Sequence, residues 1–354
     1  MVRAATMTMV FGCFAVFPLF GCVQGYLIVP DQTPKDQWPE AEGRILQHVR
    51  QVTNQDLGLR KAGEAYFSPD MKKIIFQAYP GEEDEYQMFT MELTADGLPR
   101  QDTLRQISPG GGPCTCGYFH PDGERLLFGS AHLNPDIENP NFYQREGGSY
   151  NWEMPGGMDL FTAELDGSNL RRLTTEIGYD AECAYSPSGA SIVFTSDRDG
   201  DPDIYIMRSD GAEVRQLTNF PGYDGGPFFS PEGQRIIFRA DRHQNDLLQL
   251  FVINTDGSGE RQLTQHGKVV RWAPFWHPNG RSVVYTTSTH GHRNYEVYLL
   301  NIDTGKYQRV THSPRFDGLP VISPDGRLMM WTSERGKTGT SQIFLAEFTL
   351  PEGF

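Results

Sequence analysis

YDAECAYSPSG, Tyr179 to Gly189, returns 44 residues later as YDGGPFFSPEG, Tyr223 to Gly233. Aligning the chain on the prolines of these turns finds four more copies: YFSPDM at 66–71, YFHPDG at 118–123, FWHPNG at 275–280 and VISPDG at 321–326. The turn prolines stand at 69, 121, 187, 231, 278 and 324, so the intervals are 52, 66, 44, 47 and 46 residues. Periods of this size match one propeller blade each.

Each copy runs an apolar segment into Ser/His-Pro-x-Gly and then into a β-branched run such as SIVFTS, RIIFRA or SVVYTT. Proline presets the second position of a type I turn, and glycine takes the positive φ that follows. A third strand (DIYIMRSDG, QLFVINTDG, EVYLLNIDTG) and a fourth (EVRQLT, ERQLT, YQRVT) complete the unit. A four-stranded unit cannot bury both faces alone and must stack on its neighbours. The last copy supplies three strands through SQIFLAEFTL, while HVRQVTN at 48–54 matches the fourth-strand EVRQLTN at 213–219. The sequence therefore predicts an all-β fold: a single six-bladed β-propeller of four-stranded antiparallel blades over residues 44–350, its last blade closed by an N-terminal strand.

The composition agrees. The 354 residues hold 38 Gly, 24 Pro and 12% aromatics, which suits short strands and tight turns. The net charge of −14, with no basic cluster, argues against a nucleic-acid partner. The first 22 residues place Arg3 before an apolar run, the layout of an export signal, and residues 23–43 then read as a polar tether. Leu19-Phe20-Gly21-Cys22 resembles a bacterial lipobox, which implies lipidation at Cys22 and a periplasmic or outer-membrane lipoprotein; simple cleavage is the alternative. Membrane contact is then through the lipid anchor alone, and the chain is expected to act as a monomer.

The SPDG turns, the Phe-x-Ser-Asp-Arg segment after the second strand and the Arg-x-Leu-Thr of the fourth resemble the TolB-type, WD-like propeller repeat. That repeat also builds the propellers of tricorn-type and prolyl-oligopeptidase-type proteases. The first copy departs from it, with Met71 for Gly and Ile107-Ser108 for Leu-Thr. The resemblance implies a binding module for a cell-envelope protein or peptide, since TolB binds a peptidoglycan-associated lipoprotein. The protease relatives hold their catalytic residues in a separate domain, and no Gly-x-Ser-x-Gly, His-Glu-x-x-His or Walker loop occurs in this sequence.

Loops joining fourth to first strands and second to third strands fall on one face, here called upper. Seven residues before the turn prolines stand Ala62, Cys114, Asp180, Asp224, Arg271 and Asp317; five before stand Glu64, Cys116, Glu182, Gly226, Ala273 and Leu319. First strands line a propeller's channel, so Glu64, Asp180, Glu182, Asp224, Arg271 and Asp317 are candidates for a channel-mouth site, taking a cation or a basic peptide. The aspartates read equally as turn and cap residues. Glu182 is least explained that way. The acid-Arg pairs Asp197-Arg198, Asp241-Arg242 and Glu334-Arg335 are expected to pair locally.

An insertion at 131–159 offers His132, Tyr150, Trp152 and Glu153 for recognition of a peptide or glycan. His290 and His292, two apart, with His243 or His132 as third ligand, form a candidate divalent-metal set, or are simply solvated. Oligogalacturonate-lyase propellers, which resemble this repeat, hold manganese with histidines; a metal-assisted lyase or hydrolase on a glycan is the second reading. No other cofactor is expected. Cys114 or Cys116 could reach Cys183 in a disulfide.

Overall fold

The computed structural model describes residues 37–83, 85–94, 96–137, 154–265 and 267–354. Six first strands, Leu59–Phe67, Cys114–Phe119, Gly178–Tyr185, Asp224–Phe229, Arg271–Trp276 and Asp317–Ile322, each pair antiparallel with the strand that follows their turn.

The expected single six-bladed propeller of separate four-stranded antiparallel blades needs correction. Four sheets do stand as four-stranded units, but the strands between Cys114 and Gln216 form one eight-stranded sheet. It is joined by a parallel pair, Gly178 opposite Gly157 and Tyr179 opposite Met158. Glycine allows the junction. A Cβ on Gly157 would lie 2.2 Å from the Asn134 carbonyl oxygen, and Gly178 adopts φ 134°.

The N-terminal strand Leu46–Gln51 pairs with Gln342–Phe348 and supplies the outer strand of the last sheet. A short helix, Trp38–Glu42, precedes it.

Packing repeats with the sequence. Seven residues after each turn proline stand Phe76, Phe128, Phe194, Phe238, Tyr285 and Trp331, all at most 1% exposed. Each packs on the third-strand ring of its own repeat at 5.6–6.3 Å between centroids, as in Phe238 on Phe251. Burying such a ring contributes about 2 kcal/mol, which is why the aromatic recurs where conformation alone would accept any β-former.

Candidate functional site: a cavity built on strand bulges

In every first strand the register slips at the same place, for example between Ala181 and Ala184 and between Gly225 and Phe228. The residue inside the slip is left-handed each time: Glu64 (φ 47°), Cys116 (55°), Glu182 (50°), Gly226 (59°), Ala273 (47°) and Leu319 (52°). These are the positions five before the turn prolines. Only one is glycine, so the other five each carry about 1–2 kcal/mol of backbone strain. The bulges turn all six residues toward a single cavity of about 490 Å³.

Two residues further along, Tyr66, Tyr118, Phe228 and Phe275 meet at 5.2–6.2 Å between ring centroids and close the cavity below. Above, Tyr79 near the end of its strand and Glu85, Tyr86 and Pro155 from upper-face loops line it, and Glu85 is exposed. The cavity is therefore a socket open at the upper face.

Glu182 is fully occupied by protein. Its carboxylate accepts from Thr195 Oγ1 (2.8 Å), Tyr223 Oη (2.7 Å), the Gly226 backbone N–H (2.7 Å) and Arg239 Nη2 (2.6 Å). The glycines of YDGGP make room for this. A Cβ on Gly225 would sit 2.1 Å from Tyr223 Oη, and one on Gly226 would sit 2.3 Å from Arg239 Nη1. The Tyr223 hydroxyl is pushed well above its usual range by burial.

Glu64 is held differently. It accepts from Tyr66 Oη at 3.1 Å, and its backbone N–H donates to Thr332 Oγ1 at 3.1 Å. Burial pushes its carboxyl up, and the Glu182 charge adds to this against the lowering effects of Cys116, Arg239 and Tyr66. The Cys116 thiol is likewise raised by burial and by the Glu64 and Glu182 charges.

The residues seven before the prolines lie elsewhere. Asp180, Asp224, Arg271 and Asp317 are at most 2% exposed and none lines the cavity: the three aspartates are paired inside their own sheets and Arg271 with a residue of the preceding sheet. Arg198 Nη2 donates to both Asp180 oxygens at 3.0 Å, Arg242 Nε to Asp224 at 3.1 Å, and Arg335 Nη2 to Asp317 at 2.9 Å. Arg271 donates to Gln249 Oε1 at 3.0 Å. Burial raises the Asp224 carboxyl to about 6 against the pull of Arg242. The expected local pairing of Asp197 with Arg198 is thereby corrected: Arg198 crosses to Asp180, and Asp197 accepts the Tyr179 N–H at 2.7 Å. Asp241 does the same for the Tyr223 N–H at 2.8 Å.

The histidines are not gathered. His243 pairs with Gln262 (3.0 Å), His290 with Tyr298 (2.8 Å) and His292 with Tyr295 (3.1 Å), while His132 contacts Ser130 Oγ at 2.8 Å. Among the described residues, the one group of three acid, His or Cys ligand atoms within 4.8 Å of each other is Asp199, Asp201 and Asp203. Cys114, Cys116 and Cys183 are free and buried, so the disulfide expectation is also corrected. The candidates Cys22, Tyr150, Trp152 and Glu153 lie outside the described residues. Sequence reading missed Arg239, Tyr223 and the aromatic floor. The unusual Gly225-Gly226 pair was the available signal for the first two.

The family model for the TolB beta propeller domain matches residues 151–219 and 258–350. The Tol-Pal system protein TolB of Bordetella pertussis is 56% identical over 36 residues, 10% of this chain and 8% of that protein's length. Among solved structures, a TolB-designated protein from Agrobacterium tumefaciens is 20% identical, with 82% of this chain and 91% of that chain covered at a TM-score of 0.56. TolB from Acinetobacter baumannii is 18% identical, with 81% and 63% covered at 0.55. An oligogalacturonate lyase from Vibrio parahaemolyticus is 15% identical, with 86% and 94% covered at 0.51. These structures share the fold. Among the described residues, no helix is long and apolar enough to cross a membrane.

Proposed function

We propose that this chain, whose repeats are of the TolB beta propeller type, is an exported binding module, lipidated at Cys22, that receives an extended segment of a cell-envelope protein in its upper-face cavity. The observation that supports this reading is the socket itself. It is floored by four interlocked rings, open above, and of a volume that suits a few side chains rather than a folded domain. Glu182 spends its acceptor positions on protein donors, which equips the site to hold rather than to react.

A photo-cross-linking residue at Tyr86, on the lip, tests the proposal in intact cells. The expected result is an adduct with one envelope polypeptide that reforms with the purified pair and disappears in Trp272→Ala. The same adduct from a probe at Lys306, which does not line the cavity, would overturn it. Metabolic labelling with palmitate tests the anchor: label is expected on the native chain and absent from Cys22→Ala.

A further inference from the structure

The titratable side chains lining the cavity are unequal in sign. Glu64, Glu85 and Glu182 face one guanidinium, Arg239. Glu182 and Arg239 cancel each other in a buried pair at 2.6 Å. Glu64 has a phenol as its side-chain partner and, among the described residues, takes part in no ion pair. With Arg239 committed to Glu182, burial pushes the Glu64 carboxyl toward its neutral form, and a cation held beside it would favour the charged form.

The walls also suit a cation. Tyr66, Tyr79, Tyr86, Tyr179, Trp272 and Phe316 line the cavity. At the rim the protein itself already places an ammonium on two of these rings, with Lys61 Nζ 3.8 Å from the Tyr79 centroid and 5.0 Å from that of Tyr86. Aromatic faces attract cations, most strongly where water is excluded. A metal ion would need several clustered ligand atoms, and the one such group among the described residues, Asp199, Asp201 and Asp203, is outside the cavity.

We infer that the cavity recognises an organic cation on an apolar stem, an alkylammonium or guanidinium, with Glu64 as its counter-ion and the tyrosine and tryptophan rings around the stem. Resting on the reading of the cavity as a segment-binding site, this names the side chain that the segment inserts: lysine or arginine.

The test uses the full chain and three capped tripeptides, Ac-Ala-Lys-Ala-NH2, its norleucine counterpart and its glutamate counterpart, titrated by calorimetry. The lysine peptide is expected to bind about tenfold or more tighter than the norleucine peptide, the discrimination of one charge-assisted contact, with the glutamate peptide weaker still. Glu64→Gln is expected to erase the lysine preference. Spermidine as competitor separates the two sources of the same chemistry: displacement of the peptide assigns the site to free amines as well, and lack of displacement assigns it to side chains in a backbone context. Equal affinity for the lysine and norleucine peptides overturns the inference, and this comparison requires no variant to fold. The Tyr86 cross-link would then still report on docking itself, so the two readings fail separately.

Discussion

Arg239 donates to Glu182 from the neighbouring repeat at 2.6 Å, with both side chains less than a tenth exposed. The pair ties two sheets together across the cavity wall. Removing one partner from a buried pair leaves the other charge without compensation, at a cost of about 3–5 kcal/mol. Arg239→Met is therefore expected to lower the urea midpoint by that equivalent. Arg239→Met combined with Glu182→Gln should recover much of the loss, because no bare charge then remains. Equal midpoints for the single and double variants would refute the assignment.

Gly226 is the one glycine among six left-handed bulge residues, and its Cβ would meet Arg239 rather than solvent. Gly226→Ala is expected to cost more than the roughly 1–2 kcal/mol of left-handed strain, since Arg239 must also leave Glu182. Ala273→Gly relieves strain at the equivalent position and should change stability by less than about 1 kcal/mol. Denaturation of the two variants side by side checks the contrast.

These positions show where sequence reading reached its limit. The six turns, a first strand before each and a β-branched strand after it were legible, because burial and turn chemistry demand particular residue types. The bulge was not, because Glu64, Cys116, Ala273 and Leu319 are not residues that announce a positive φ; tertiary pairing imposes it. Glu182 was singled out by failing to fit the turn pattern, but its partner Arg239 lies 57 residues away, beyond the reach of spacing arguments. The joining of two repeats into an eight-stranded sheet rests on backbone pairing of Gly157 and Gly178, which leaves no periodic trace. The aspartates assigned to the mouth were read by counting back from the turn prolines along first strands taken to line the channel, and the register slip between them and the turn changes which way they face.

Asp203 carries the clearest pH effect. It is fully buried, accepts from Thr218 Oγ1 at 2.8 Å, and is raised from 3.8 to about 7, first by burial and then by Asp224, Asp199 and Asp201. The unfolded chain releases this proton near 3.8 and the folded protein near 7, so stability present below the lower value is lost as pH rises through that window. Asp203→Asn has no such loss, and its amide can be met by a rotated Gln216 side chain. The variant is expected to match the native chain at about pH 4 and to exceed it at about pH 8 by on the order of 2–4 kcal/mol. Urea midpoints at the two pH values decide it, and a parallel pH response of both proteins would show that Asp203 is not the group responsible.

Arg335 holds two acids at once, Asp317 of its own sheet at 2.9 Å and Glu42 of the N-terminal helix at 2.9 Å from each of two guanidinium nitrogens. Glu42 also accepts the His312 backbone N–H at 2.6 Å, and the guanidinium lies 5.4 Å from the centre of the Trp38 ring. Burial pushes the Glu42 carboxyl up and Arg335 pulls it down. The helix is thus latched where the last sheet receives its N-terminal strand. Glu42→Ala leaves Arg335 paired with Asp317, so the loss should fall short of a stranded charge, about 2–3 kcal/mol. It should appear locally, as faster tryptic cleavage after Arg44 and faster amide exchange in Leu46–Gln51, while peptide binding in the cavity stays at the native affinity. Unchanged cleavage at Arg44 would mean that strand pairing alone, through Leu46 to Phe348, holds the N-terminal segment in place.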